Sequence, residues 1–112
     1  MMLRVEIEIE PIARKKHIHL LEKIDELGSV TLAADAVGLT YHSAWQMIGA
    51  LGRRFREPII KRHGHGLREG DVSITELGRQ VLDAIRSISE KSSIAAHDDL
   101  QKLNLLLNNV DN

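Results

Sequence analysis

The chain contains no cysteine. That single absence excludes a disulfide framework, a thiolate zinc site and a cysteine nucleophile. Aromatic residues are nearly missing too, with one Trp, one Tyr and one Phe, so a core has to be assembled from Leu, Ile, Val and Ala. No apolar run approaches the ~20 residues needed to cross a bilayer, and the N-terminus lacks the apolar stretch of a signal peptide. The expected location is therefore cytoplasmic, away from membranes. No Gly-x-Ser-x-Gly, no phosphate loop and no nucleophile–base pairing is present, so an enzyme is not expected.

What is present is a 112-residue chain, room for one modest core, with a net charge of −1. The charge is unevenly spread. Arg53, Arg54, Arg56, Lys61, Arg62 and Arg68 fall in one stretch opposed by Glu57 alone, while Glu6, Glu8, Glu10, Asp98, Asp99 and Asp111 lie towards the ends. A basic segment of this kind is a solvated face or a surface for phosphates.

Along the chain, Leu3, Val5, Ile7 and Ile9 alternate with Arg4, Glu6, Glu8 and Glu10, the period of a half-buried strand that Pro11 ends. From Ala13 to Leu27 the period becomes helical, with Ile18, Leu21, Ile24 and Leu27 inward and Gly28 at the C-cap. Ser29 or Thr31 caps a short helix over 32–37, in which Ala33, Ala34 and Ala36 allow close packing. Gly38-Leu39-Thr40 is a tight turn, and a third helix from Tyr41 to about Phe55 buries Ala44, Met47, Ile48, Leu51 and Phe55. Ile59-Ile60 and Val72-Ile74 flank a glycine-bearing polar tip, which reads as a hairpin. Thr75-Glu76 opens a long helix that the serine-rich stretch from Ser87 to Ser93 is expected to weaken. A last amphipathic segment spans 99–110.

Strand, helix, helix, turn, helix, hairpin, helix is the order of a winged helix-turn-helix, a mainly α, α+β fold with an N-terminal strand, a β-hairpin wing and long C-terminal dimerisation helices. Residues 1–75 form the expected DNA-binding domain and 76–112 the helical dimerisation segment. The free face of the third helix offers Thr40, Tyr41, His42, Ser43 and Gln46 for base edges or nearby phosphates. Ser29 and Thr31, at the start of the second helix, Arg53 and Arg54, and the wing residues Arg62, His63, His65 and Arg68 are expected to meet the DNA backbone. Trp45, between the buried and free sides of its helix, reads as packing rather than as a DNA contact.

The long helix and the last segment present Leu82, Ile85, Ile88, Leu100, Leu103, Leu106, Leu107 and Val110. These residues either close a homodimer, the favoured reading, or fold back on their own domain. His17 and His19 diverge on a helix, whereas His63 and His65 share a face of an extended hairpin. With no third ligand, no metal and no cofactor is expected.

The segment from Leu21 to Trp45, ending in Gly38-Leu39-Thr40-Tyr41-His42-Ser43-Ala44-Trp45, resembles the N-terminal domain of ModE-type molybdate-responsive regulators, and more loosely the LysR-type winged helix. Glu57-Pro58-Ile59-Ile60-Lys61-Arg62 and Ile74-Thr75-Glu76-Leu77-Gly78-Arg79-Gln80-Val81-Leu82 extend the likeness. The resemblance implies a dimeric winged helix-turn-helix acting on promoters, with a recognition helix at Thr40–Gln46 and a wing at Arg62–Val72. His42 stands where the family commonly has Lys, and the wing carries His-Gly-His-Gly in place of a longer glycine run. The family's oxyanion-binding module follows the dimer helices, and this sequence stops at Asn112, so molybdate sensing is not expected to carry over. The expected function is sequence-specific binding of double-stranded DNA to regulate transcription, with any effector unspecified. The alternative is a non-enzymatic protein-interaction module that modulates a partner regulator.

Overall fold

The computed structural model describes residues 2–63 and 72–108. Its elements are α1 (Lys15–Leu27), α2 (Val30–Val37), α3 (Tyr41–Gly52), β1 (Ile60–Arg62), β2 (Val72–Ile74), α4 (Glu76–Ala95) and α5 (His97–Leu106). The helix boundaries follow from local chemistry. Ser29, Thr40 and Thr75 each accept the backbone N–H three residues on, from Leu32, Ser43 and Gly78, satisfying donors that a helix start leaves open. Gly28 and Gly38 close α1 and α2 in the left-handed conformation, at φ 67° and 75°, which costs glycine little and other residues more. At the start of α1 the Arg14 N–H donates to His17 Nδ1, so His17 fills the place usually taken by Glu or Gln in a capping box.

Three apolar clusters hold the elements together. Leu20 and Ile24 of α1 meet Val30, Ala33 and Ala34 of α2, Ala44 and Ile48 of α3, and Val72 of β2. Leu21, Leu51, Ile59, Leu77 and Leu82 join α1 and α3 to the start of α4. Ala13, Ile18 and Ile85 form the third, beneath Ile7 and Ile9. The hairpin is antiparallel, pairing Ile60 with Ile74, Lys61 with Ser73 and Arg62 with Val72. Its second strand is tied at both ends: Val72 N–H donates to the Gly28 carbonyl and Thr75 N–H to that of Ile59.

Several expectations change. Residues 2–8 form no strand; burial alternates with period two, but the segment pairs with nothing beyond the isolated bridge of Ile9 with Ala13. Alternation reports which side chains are covered, not whether a partner strand exists. Ala36 is exposed, and Leu27 is 39% exposed, because each stands at the end of its helix, past the neighbouring packing. The serine-rich stretch does not interrupt α4, which runs unbroken to Ala95; exposed serines lower helix propensity by only about half a kcal/mol each. Leu82 and Ile85 are buried within the chain itself, at 0% and 5% exposure. They pack in the second and third clusters and are not free for a partner.

Across the α1–α4 junction, the Arg79 guanidinium donates two hydrogen bonds to Asp25, with Arg86 3.6 Å away. The Arg79 bond, then the charges of Arg79 and Arg86, hold the Asp25 carboxyl below the usual aspartate range against the opposing effect of burial. A depressed folded-state pKa contributes stability that is fully present above the unfolded value near ~3.9 and is lost as pH falls through the folded value. Asp25→Asn should therefore cost about 1 kcal/mol at neutral pH, since solvent reaches Arg79 and screens the pair. It should also flatten the loss of thermal stability between about pH 5 and pH 2. Melting curves across that range check it, and an unchanged acid limb would count against the assignment.

Candidate nucleic-acid interface

The α2–turn–α3 unit is fixed by short contacts. Ala33, Ala34 and Ala44 are buried where α2 meets α3, and Leu39 N–H donates to the Ala34 carbonyl, so the second helix crosses closely over the first. Ala44, Ile48 and Leu51 are the buried stripe of α3. Tyr41, His42, Gln46, Arg53 and Arg54 are exposed, and Met47 and Ser43 are intermediate. His42 and Gln46 are one turn apart and share the outward face. Beyond α3, Arg56, Lys61 and Arg62 are exposed as well, so exposed basic residues recur from the end of the helix to β1.

Other predicted contacts are differently placed. Ser29 is buried and its hydroxyl accepts the Leu32 N–H, so it caps α2 and is not available to a phosphate. Thr31, one residue inside that helix, is exposed. The Thr40 hydroxyl is engaged with Ser43 N–H but is itself on an exposed residue. His63 is exposed and lies 2.6 Å from the Ser73 hydroxyl across the hairpin. His65 and Arg68 fall outside the described residues, as does Val110. Among the described residues, no group of three or more His, Cys, Asp or Glu is placed to hold a metal ion. No helix among them is long and apolar enough to cross a membrane.

Trp45 packs against the first cluster and also links two elements. Its ring carries the Arg62 guanidinium 3.9 Å from the centroid, and Tyr41 meets it edge-on at 6.2 Å and 75°. One indole thus joins the N-terminal turn of α3 to the first strand of the hairpin through a cation–π contact. Its Nε1 is buried without a hydrogen-bond partner, so the ring is held by stacking and packing. Nothing local in the sequence pairs position 45 with position 62; the pairing exists only once the hairpin folds back beside α3.

On the C-terminal helices, Ile88 is 45% exposed, Ile94 69%, Leu103 49% and Leu106 76%. Leu100 and Leu107 are partly covered, and α5 has no buried residue. The molecule is correspondingly elongated, 55 × 31 × 21 Å.

Comparison with known proteins agrees with this geometry. The family described as "Bacterial regulatory helix-turn-helix protein, lysR family" matches residues 16–79, the span from α1 through the first turn of α4. The chain is 32% identical over 93 residues to the molybdenum transport protein ModE of Azotobacter vinelandii, covering 83% of this chain and 33% of that protein. It is 28% identical over 109 residues to the transcriptional regulator ModE of Yersinia pestis, covering 95% and 41%. The chain thus spans well under half the length of these relatives. Among solved structures, Vibrio fischeri DarR in complex with DNA superposes with a TM-score of 0.63 over 92% of this chain and 32% of that one, at 14% identity. That likeness is one of fold.

Proposed function

Starting from a chain that belongs to the LysR family of bacterial regulatory helix-turn-helix proteins, with ModE regulators as homologues over most of its length, we propose that it binds double-stranded DNA sequence-specifically, as a homodimer, to regulate transcription in the cytoplasm. The observation that carries this reading is the exposed face of α3, with His42 and Gln46 outward and the exposed basic residues Arg53, Arg54, Lys61 and Arg62 following along the chain. A helix held rigidly by its buried stripe can enter the major groove. There Gln46 has the shape to pair with adenine, and Tyr41, His42 and Ser43 reach neighbouring edges or phosphates. Thr31, Arg53, Arg54 and the wing set the register through the DNA backbone. The apolar stripe of exposed Ile88, Leu103 and Leu106 with half-covered Leu100 and Leu107 is the dimer surface. Two copies would present their α3 helices to successive major grooves, about 34–36 Å apart.

Duplexes selected from a random-sequence pool, bound at two salt concentrations, test this. The wild type should bind with a steep salt dependence. A Gln46→Ala, Arg54→Ala double variant should lose at least about tenfold in affinity and show a shallower salt slope. No binding by either protein at low salt would overturn the reading and favour an interaction module that acts on another regulator.

A further inference from the structure

Residues 2–8 are extended and held by side chains, Ile7 on the third cluster and Glu6 and Glu8 against Lys15, but among the described residues they pair with no other strand. Leu3, Val5 and Ile7 are half-buried while Arg4, Glu6 and Glu8 are exposed, and Arg4 reaches Glu6 two residues on, at 3.2 Å, along the same face. Side chains two apart on one face are the mark of a strand. Val5 and Ile7 lie over a cleft of about 280 Å³ shared with Ile18, Ile85 and Ser89. Further along, Met2 and Leu3 line a groove with Leu100 and Leu105 of α5. Yet among the described residues no backbone group of 2–8 bonds to another backbone group. A strand-like segment packed on helices with its hydrogen-bonding edge open is a template for another strand.

We infer that this segment pairs antiparallel with the same segment of a second copy, about a two-fold axis through Val5. The inference rests on the homodimer reading and specifies part of its interface. The sequence selects the register. An axis at Val5 sets Val5 against Val5, Leu3 against Ile7, and Arg4 against Glu6 on both sides. An axis at Glu6 opposes two carboxylates, one at Ile7 sets Glu6 against Glu8, and one at Arg4 opposes two guanidinium groups. A slip of half a step turns the apolar side chains of one strand to the wrong face. Only the Val5 axis joins opposite charges and no like ones, and self-complementarity of this kind is what a two-fold interface requires. The ribbon also continues towards the exposed face of α5, since Leu3 lines one groove with that helix.

Because the chain has no cysteine, single-thiol variants read the register directly. In the inferred pairing the two Val5 Cα atoms lie roughly 4.5–5.5 Å apart, within disulfide reach. The two Ile7 positions lie about 14 Å apart. Mild oxidation of full-length Val5→Cys should give a covalent dimer, and of Ile7→Cys none, while sedimentation of the reduced proteins reports assembly independently. Arg4→Glu should weaken the dimer about three- to tenfold. A dimer in sedimentation that does not cross-link at Val5, or that cross-links at Ile7 instead, overturns the ribbon and leaves the homodimer standing. A monomer at all concentrations overturns both.

Discussion

Replacing Gly78 with alanine is expected to destabilise the fold by roughly 3 kcal/mol, although the same exchange inside most helices is favourable by about 1 kcal/mol. The reason lies at the first turn of α4. A Cβ at Gly78 would stand 2.2 Å from the Ile59 carbonyl oxygen and 2.7 Å from the Ile74 side chain. The carbonyl cannot easily move aside, because it accepts the Thr75 N–H. The Thr75 hydroxyl meanwhile donates to the Pro58 carbonyl and accepts the Gly78 N–H. The clash therefore falls on a backbone pinned at both ends, where relief requires shifting the base of the hairpin or the start of α4. Gly52 is the matched control: a Cβ there meets nothing within 4 Å, so Gly52→Ala should be neutral or slightly stabilising. Urea unfolding of the two variants decides the matter, and equal stability would show that the junction yields more than its geometry allows.

The second large effect is expected at Trp45. Trp45→Ala removes the surface on which Arg62 and Tyr41 rest, freeing the hairpin strand from α3. The expected cost is about 2 kcal/mol in stability, below that of a fully buried indole because the ring is only partly covered. On the proposed function, duplex affinity should fall about tenfold beyond any effect of partial unfolding, since the wing basics would no longer be held in register with α3. Trp45→Phe separates the two contributions. It keeps a ring for the guanidinium and deletes an N–H that is buried without a partner, so it should retain most of the affinity. Binding by Trp45→Ala equal to wild type, at a temperature where it is folded, would show that the stack has no part in positioning the wing.

The parts of the fold that were legible in the sequence are those decided locally. Ser29 and Thr40 cap, Gly28 and Gly38 terminate, and the helical stripes of α1 and α3 bury their apolar faces, because each depends on residues within a turn of one another. The position of α3 could be read for the same reason. What could not be read is set by distant chain. Gly78 resembles any helical glycine until the Ile59 carbonyl arrives beside it. Leu82, Ile85 and Ile88 form one continuous stripe on α4, and only the placement of α1 and the N-terminal segment decides that the first two are core and the third is surface. A capping hydroxyl and one free for phosphate look identical in sequence at Ser29, and burial separates them.

The bare sides of α5 bear on how such a protein would respond to its own abundance. A ten-residue helix with no buried residue has little to hold it in water, where isolated helices shorter than about 12–15 residues are marginal. If a second copy supplies the missing cover, ordering of the C-terminus and assembly become one equilibrium, and dilution dissolves both together. The dose of the protein would then set the fraction able to span two half-sites, so that expression level itself acts as an input even where no small molecule does.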